Sequence, residues 1–220
     1  MKISSTDPSD PSDRTIRSAS IEKYRRRAAG YDATCGPTAP IRRRAMEGLV
    51  LQPGQRVLDV GCGSGLSLAL LRERVGAAGQ VWGCDQSPQM LTQARARVTA
   101  AGWSNVELME CAAQDLTLPE SVDALLFHYT HDILRSDLAI DRLLACARPG
   151  ARVAIAGIKY FPAALAPLNL WVYLKNRPYN GSPGGLRTPW DRIAPRLVDW
   201  RWQPTQWGMG YLAFGRVPAP

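Results

Sequence analysis

A glycine-rich loop after an apolar strand constrains this chain more than any other feature. Residues 57–65 read Val-Leu-Asp-Val-Gly-Cys-Gly-Ser-Gly, and a second apolar run ends in Asp85, twenty residues after Gly65. In doubly wound α/β proteins, such glycines let the backbone turn tightly and approach a ligand, while the second acid receives ribose hydroxyls. The pattern predicts an α/β fold that binds an adenosine-containing cofactor.

The acid before the loop distinguishes between cofactors. Dinucleotide sites have the spacing G-x-G-x-x-G and hold a pyrophosphate at a helix N-terminus. Here Gly61, Gly63 and Gly65 alternate, and Asp59 precedes them by two residues. A carboxylate repels a pyrophosphate and attracts a cationic amino acid. Because S-adenosyl-L-methionine carries an ammonium and a sulfonium but no phosphate, we expect it to bind Asp59, the three glycines and Asp85. The alternative is a glycine-rich turn that binds no ligand.

Several further motifs occur before and after the glycine loop, in the order typical of one enzyme family. Residues 24–158 resemble a class I S-adenosylmethionine-dependent methyltransferase, and most of all the ubiquinone/menaquinone C-methyltransferase-like group of small-molecule enzymes. The resemblance implies the Rossmann-like methyltransferase fold, with S-adenosyl-L-homocysteine as the product of the cofactor. The matching segments are Tyr31-Asp32, 57–65, 85–91, Gln114-Asp115-Leu116 and Arg148-Pro149-Gly150.

The resemblance also assigns residues to the rest of the cofactor. It implies that Tyr31 closes over the cofactor and that Gln86 and Met90 line the adenine pocket, although Tyr31 and Met90 could equally be core residues. Family members usually have an Asp-Ala pair that contacts the adenine amino group. This chain has Ala112-Ala113 there, so the carboxylate contact is missing, and a backbone N–H is what remains to contact the adenine ring.

Composition favours a single globular α/β domain. The chain has 220 residues, of which 45% are hydrophobic, enough for one full core. Its five cysteines form no C-x-x-C pair or ligand cluster, which predicts a reducing, cytoplasmic location and no metal site. We expect neither a signal peptide nor a transmembrane segment, because no apolar run approaches the roughly 18 residues of a membrane span. The oligomeric state stays open.

The net charge of +8 raises the question of a polyanionic partner. Residues 1–44 hold ten basic and five acidic side chains, including the triplets 25–27 and 42–44. Short arginine triplets are more typical of a solvated helix face than of a docking surface. We therefore expect a small-molecule acceptor and no nucleic acid, with peripheral membrane contact as an alternative.

Strands that alternate with helices predict a doubly wound, mostly parallel sheet. We expect strands at 56–60, 80–85, 106–110, 123–127 and 152–157, followed by 197–202 and 211–217. The resemblance implies that the last two form an antiparallel hairpin in a seven-stranded sheet. A flexible tail (1–20) would precede a single methyltransferase domain (21–220), in which residues 21–51 form helices over the active site, at 21–29 and 39–51.

Local signals also predict where the helices between the strands begin and end. Ser64 can cap the helix after the glycine loop, whose apolar stripe is Leu68, Leu71 and Val75. Ser87 and Pro88 predict the start of the next helix. A later helix, over 137–147, should end before a turn at Pro149-Gly150.

The alternation of strands and helices ends after the fifth predicted strand. Residues 159–196 are rich in proline and aromatic residues and contain a Gly-Ser-Pro-Gly-Gly stretch. A long aromatic insertion inside a compact domain is usually a lid or a binding loop. We interpret this segment as a substrate lid, in which Tyr160, Trp171 and Tyr179 contact the acceptor.

Both histidines lie in residues 127–132, at the end of the fourth predicted strand. Ligands of open α/β sheets bind at this end of the strands, and histidine is the usual base near neutral pH. Our hypothesis is that His128 or His131 removes a proton from the acceptor. His128 would also contact the cofactor, and Tyr129 and His131 would contact the acceptor. The alternative is that one histidine packs under the sheet and the other caps the next helix.

These patterns together predict a methyltransferase that acts on O, N or C of a small, partly apolar, quinone-like or aromatic metabolite by in-line displacement. A rival interpretation is an RNA methyltransferase, although the chain lacks the Asn/Asp-Pro-Pro-aromatic motif common in base-amine enzymes. The same patterns are also compatible with a phospholipid amine N-methyltransferase and with a non-catalytic cofactor-binding protein.

Overall fold

The computed structural model describes Asp32 and residues 35–161, 165–176 and 183–219. The predicted tail, the helix expected over 21–29 and the residues Tyr31 and Tyr179 lie outside these ranges. No helix among the described residues combines the length and the apolar character that a membrane span requires.

A seven-stranded sheet organises the described chain. Its strand order is β3-β2-β1-β4-β5-β7-β6. The pairs from β3 to β5 are parallel, whereas β7 runs antiparallel to both β5 and β6. The predicted fold class, including the antiparallel final hairpin, is confirmed. The strands are β1 (Arg56–Val60), β2 (Gln80–Asp85), β3 (Val106–Glu110), β4 (Val122–His128), β5 (Ala147–Ile158), β6 (Val198–Thr205) and β7 (Gly210–Arg216).

Strand β5 begins five residues before its predicted start at residue 152. Its ladder with β4 pairs Val122 with Ala147 and then skips to Ala124 with Arg152. The stretch between these two pairs contains Pro149 and Gly150. These two residues had predicted a turn after a helix, and they lie instead within β5. The helix before β5 consequently ends at Ala145.

Five helices accompany the sheet in the described ranges: α1 (Ala39–Gly48), α2 (Leu68–Val75), α3 (Pro88–Ala100), α4 (Asp137–Ala145) and α5 (Ala166–Asn176). Helix α3 starts as predicted, because the Ser87 hydroxyl accepts the N–H of Met90 and Pro88 follows at the first helical position. The expected cap of α2 by Ser64 is wrong. That helix begins at Leu68, and the Ser64 hydroxyl donates to a carboxylate oxygen of Asp32.

Two apolar layers cover the two faces of the sheet, as the alternation of side chains along a strand requires. Val57 of β1 joins the layer that contains α1 and α2, and Leu58 joins the layer that contains α4. The predicted apolar stripe of α2 is fully buried in the first layer. Residues 190–197 also contribute, since Ile193 is fully buried in the second layer.

The strand register brings the predicted site residues to one edge. Val60 lies beside Cys84 of β2 and Phe127 of β4, and His128 lies beside Ala156 of β5. The glycine loop, Asp85 and the histidine segment therefore all follow the carboxyl ends of adjacent parallel strands.

Candidate active site

The glycine loop has left-handed backbone at each of its three glycines, with φ of +63° at Gly61, +55° at Gly63 and +84° at Gly65. A Cβ on Gly65 would lie 2.7 Å from Leu68 Cδ1, so this glycine is needed for packing. A Cβ on Gly63 would meet only the methyl group of Met90, at 4.0 Å. The open space beside Gly63 is where a ligand can approach the backbone.

Asp85 joins the loop to the end of β2. One carboxylate oxygen accepts the N–H of Gly63 at 2.9 Å, and the other accepts the N–H of Ser87 at 2.8 Å. Burial raises the pKa of Asp85, while the N–H groups of Ser87, Gly63 and Gln86 oppose this rise. Each carboxylate oxygen has a second lone pair, so the group can also accept ribose hydroxyls.

Asp59 is buried near the end of β1 and carries an unsatisfied oxygen. Its Oδ2 has no hydrogen-bond partner within the described part of the chain. Burial raises the pKa of Asp59 to about 7, against the opposing effects of the Arg42 charge and a Ser67 hydrogen bond. A buried carboxylate oxygen without a partner suits an ammonium group.

Arg42 is a site residue that the sequence pattern did not single out. The triplet 42–44 was expected to be solvated, and Arg43 and Arg44 are exposed, but Arg42 is buried. Ile41, Ala45 and Met46 on the same helix are buried too, and this helical spacing was the signal that could have revealed it. Its positive charge acts on Asp59, His128 and Tyr129.

Tyr129 follows β4 and lies beside both histidines. Its backbone is left-handed, with φ of +62°, and its N–H donates to the carbonyl of Ala156 at 2.8 Å. Its ring lies 4.8 Å from that of His128 and 6.2 Å from that of His131, measured between centroids. A non-glycine residue in this conformation is strained, and such strain concentrates at functional sites. The structure thus brings together three residues predicted for catalysis and acceptor binding.

The two imidazoles differ in their hydrogen bonds. Nε2 of His131 accepts the N–H of Ile158 at 3.2 Å, which places the proton of the neutral ring on Nδ1. Nε2 of His128 is buried, with no partner among the residues that the structure describes. Burial lowers the pKa of His131 to about 4 and that of His128 to about 3, the latter helped by the charges of Arg42 and His131. Both rings are neutral at pH 7.

The remaining predicted residues take varied positions. Met90 is buried against the loop, and Ala112 and Ala113 are buried after β3. Gln86 and Tyr160 are half-buried, whereas Trp171 is exposed on α5. No group of three or more His, Cys, Asp or Glu side chains within the described ranges could hold a metal ion.

Comparison with known proteins agrees with this geometry. The family model "Methyltransferase domain" matches residues 57–150. Aklanonic acid methyltransferase of Streptomyces sp. (strain C5) is 30% identical over an alignment of 156 positions, which covers 67% of this chain and 71% of the relative. Phosphatidylethanolamine N-methyltransferase of Cereibacter sphaeroides is 31% identical over 151 residues, with the same shares of 67% and 71%. The chain belongs to the class I S-adenosylmethionine-dependent methyltransferases.

A solved S-adenosylmethionine-dependent methyltransferase from Aquifex aeolicus shares the fold of this methyltransferase. Its TM-score is 0.57 at 22% identity, and the match covers 80% of this chain and 89% of that one. The predicted enzyme class and cofactor are confirmed.

The residues at the carboxyl edge fit S-adenosyl-L-methionine. The space beside Gly63 admits a ligand to the loop, Asp85 offers acceptors for two hydroxyls, and Asp59 offers an unsatisfied buried oxygen to a cation. We propose that Asp59 receives the ammonium and Asp85 the ribose, with Gln86, Met90 and Ala112-Ala113 around the adenine.

The first prediction compares two glycines. Gly63→Ala and Gly102→Ala both place a methyl group into open space at a left-handed residue, with φ of +55° and +64°. Each change should destabilise the fold by about 1 kcal/mol. Only Gly63→Ala should weaken cofactor binding, by tenfold or more, since its methyl occupies the approach to the loop. Calorimetric titration measures this, and equal affinity in the two variants would contradict the placement of the cofactor.

The second prediction concerns Asp59→Asn. The folded pKa of about 7 lies above the unfolded value of 3.8, so the stability that the protonated carboxyl gives is lost as pH rises towards and through 7. Asp59→Asn has no such ionisation. The difference in free energy of unfolding, variant minus wild type, should therefore be about 2–3 kcal/mol more positive at pH 8 than at pH 5. Chemical denaturation of the cofactor-free protein measures this difference. Glu73→Gln, on the exposed side of α2, controls for the loss of one surface charge.

Proposed function

We propose that this methyltransferase transfers the methyl group to O, N or C of a small, partly apolar metabolite with a quinone-like or aromatic ring. The observation that carries this proposal is a group of half-buried and buried rings beside the cofactor residues. His128 ends β4, Tyr129 and His131 follow it, and Tyr211 lies against Gly157 of β5 and 4.8 Å from the ring of Trp190. Flat, mostly apolar walls favour a flat, apolar acceptor.

Arg42 adds a preference for an acceptor that can ionise. Burial raises the pKa of the Tyr129 phenol to about 12, and its hydrogen bond to Gln206 and the charge of Arg42 act in the opposite direction. The same positive charge would stabilise a phenolate or enolate of the acceptor in this apolar pocket. We therefore favour an acceptor with an acidic O–H or C–H group.

His128 is the better candidate for the group that receives the acceptor's proton. The one lone pair of the neutral His131 ring is already used by the N–H of Ile158. In His128 the proton can lie on Nδ1, which leaves Nε2 to accept from the acceptor. With a pKa lowered to about 3 by burial, His128 is a weak base, so its role is to orient the acceptor and take the proton as the methyl group is transferred.

The chain's other contributions are alignment and the exclusion of water. The bound cofactor supplies a methyl group already activated on a sulfonium, so an acceptor held in line needs little further chemistry. We propose that residues 159–196 close over the acceptor, with Tyr160 and Trp171 as candidate contacts. The N–H of Tyr160 donates to the carbonyl of Leu186 at 2.7 Å, which ties the two sides of this segment together.

A phospholipid amine is the second candidate acceptor. It is supported by the relative from Cereibacter sphaeroides, whose name gives phosphatidylethanolamine as its substrate. Arg42 disfavours this acceptor, because its positive charge would repel the ammonium of the zwitterionic head group. We rank methylation of nucleic acid and cofactor binding without catalysis below both of these acceptor classes.

The third prediction identifies the acceptor class. Small-molecule, lipid and RNA fractions of a cell extract are each incubated with the protein and a cofactor that carries a labelled methyl group. We expect label in an aromatic or quinone-like metabolite, found by mass spectrometry, and much less label with Gly63→Ala at a cofactor concentration below saturation. Label in phospholipid would favour the second candidate. Label confined to RNA, or found in no fraction, would overturn the proposal.

The fourth prediction separates the two histidines. His128→Ala should lower kcat by roughly 10²–10⁴-fold and leave cofactor affinity unchanged. His131→Ala should lower kcat less and should cost about 1–3 kcal/mol of stability, because the N–H of Ile158 loses its partner. Since burial lowers both imidazole pKa values to about 4 or below, kcat should not fall from pH 8 to pH 5 through imidazole protonation. Comparable kcat in both variants and the wild type would remove the histidines from proton transfer.

A further inference from the structure

Helix α5 exposes an apolar surface. Leu168, Leu170 and Leu174 are 46%, 62% and 55% exposed, whereas Val172 is fully buried and marks the side that packs on the domain. A surface helix normally carries polar residues on its solvent side, but Lys175 is the one charged residue in the sequence of α5. Contiguous exposed apolar residues of this kind indicate a surface that binds a partner.

The tip of the β6–β7 hairpin adds an aromatic side chain. Trp207 is wholly exposed to solvent. Gln206, Trp207 and Gly208 are three successive residues with left-handed backbone, at φ of +49°, +58° and +95°. This conformation is unfavourable for the two non-glycine residues, so the hairpin holds the indole outwards against a conformational penalty.

Phe161 joins these two apolar elements. Its N–H donates to Oδ1 of Asn169 at 2.7 Å, and Nδ2 of Asn169 donates back to its carbonyl at 3.1 Å. On the other side, a Cβ on Gly208 would lie 3.4 Å from Cε1 of the Phe161 ring. We call Leu165, Leu168, Leu170, Leu174 and Trp207 the apolar rim. Because the hairpin tip leads into Gly210, which pairs with Ile158, the rim lies at the carboxyl edge of the sheet.

The segment that contains α5 has a positive net charge. Residues 159–196 contain six basic residues and one acidic residue, Asp191. Lys159 is buried, and its Nζ donates to the carbonyl of Tyr160, whereas Arg187 is exposed. Arg135 is exposed at the same edge, where its guanidinium lies against Gly185. A second copy of this chain would bring the same positive charges together, which disfavours self-association through this surface.

We propose that the apolar rim docks on the surface of an anionic phospholipid bilayer. Exposed leucine and tryptophan together with basic side chains is the combination that binds at the boundary between head groups and acyl chains. The rim would enter that boundary while the exposed Arg135 and Arg187 meet the phosphates. The carboxyl edge then faces the bilayer, from which an apolar acceptor can pass to the site without crossing water. Docking itself does not depend on which acceptor is methylated.

The fifth prediction tests docking by sedimentation of the full chain with vesicles, in the absence of acceptor. The vesicles contain phosphatidylcholine alone or equal parts phosphatidylcholine and phosphatidylglycerol. The wild type should bind the anionic vesicles, with affinity that falls as salt rises. Leu168→Glu and Leu174→Glu should each weaken binding by about tenfold or more, since each removes a leucine from hydrocarbon contact. Trp207→Ala should weaken it in the same direction.

Val198→Glu is the matched control. Val198 is 45% exposed, close to the value for Leu168, but it lies at the start of β6, at the opposite edge of the sheet. This variant should bind vesicles like the wild type, and calorimetry should find wild-type cofactor affinity in all four variants. The proposal is overturned if the wild type stays in solution with both vesicles, or if Val198→Glu loses binding as much as Leu174→Glu. A wild-type dimer that Leu174→Glu dissociates, seen by sedimentation velocity without vesicles, would make a second copy the occupant and also overturn it.

Discussion

The site depends on the hydrogen bond between the Asp85 carboxylate and the N–H of Gly63. Strands β1 and β2 run side by side, and the N–H of Cys62 also donates to the carbonyl of Cys84 at 3.0 Å. These two bonds fix the position along the sheet at which the chain leaves β1 and turns towards α2. With the loop held there, the open side of Gly63 faces the same edge as Asp59 and the segment after β4. A shift of the loop would change the distance between Gly63 and the acids Asp59 and Asp85.

Burial determines how the site's ionisable groups behave. Asp59 and Asp85 have raised pKa values and the two histidines lowered ones, which are the shifts that an apolar environment imposes on acids and bases. Arg42 supplies a positive charge to this environment. Each buried charge in such an environment acts at close range in a low dielectric. This effect supports the proposed contacts of Asp59 with the ammonium of the cofactor and of Arg42 with an ionisable acceptor.

Local pattern was enough to predict much of this protein. The bounds of β1, β2 and β3 and the cofactor residues of the glycine loop follow from short motifs whose geometry is set within a few residues. The bonds that cross the sheet could not be predicted that way. The burial of Arg42 depends on how α1 packs, and the role of His131 as acceptor for Ile158 depends on where β5 ends. Ser64 was expected to cap α2, but its hydroxyl reaches Asp32, a residue far away in sequence.

The protonation of Asp59 has a consequence for turnover. With a pKa raised by burial to about 7, the carboxyl of the cofactor-free protein is close to half protonated under neutral conditions. An ammonium at Oδ2, as proposed, favours the ionised form, so binding of the cofactor would release about half a proton per site at pH 7, and departure of its product would take it up again. Ligand exchange at this loop would therefore be accompanied by proton exchange with the buffer. In the cofactor-free enzyme, partial protonation of Asp59 lowers the free-energy cost of burying an unpaired carboxylate.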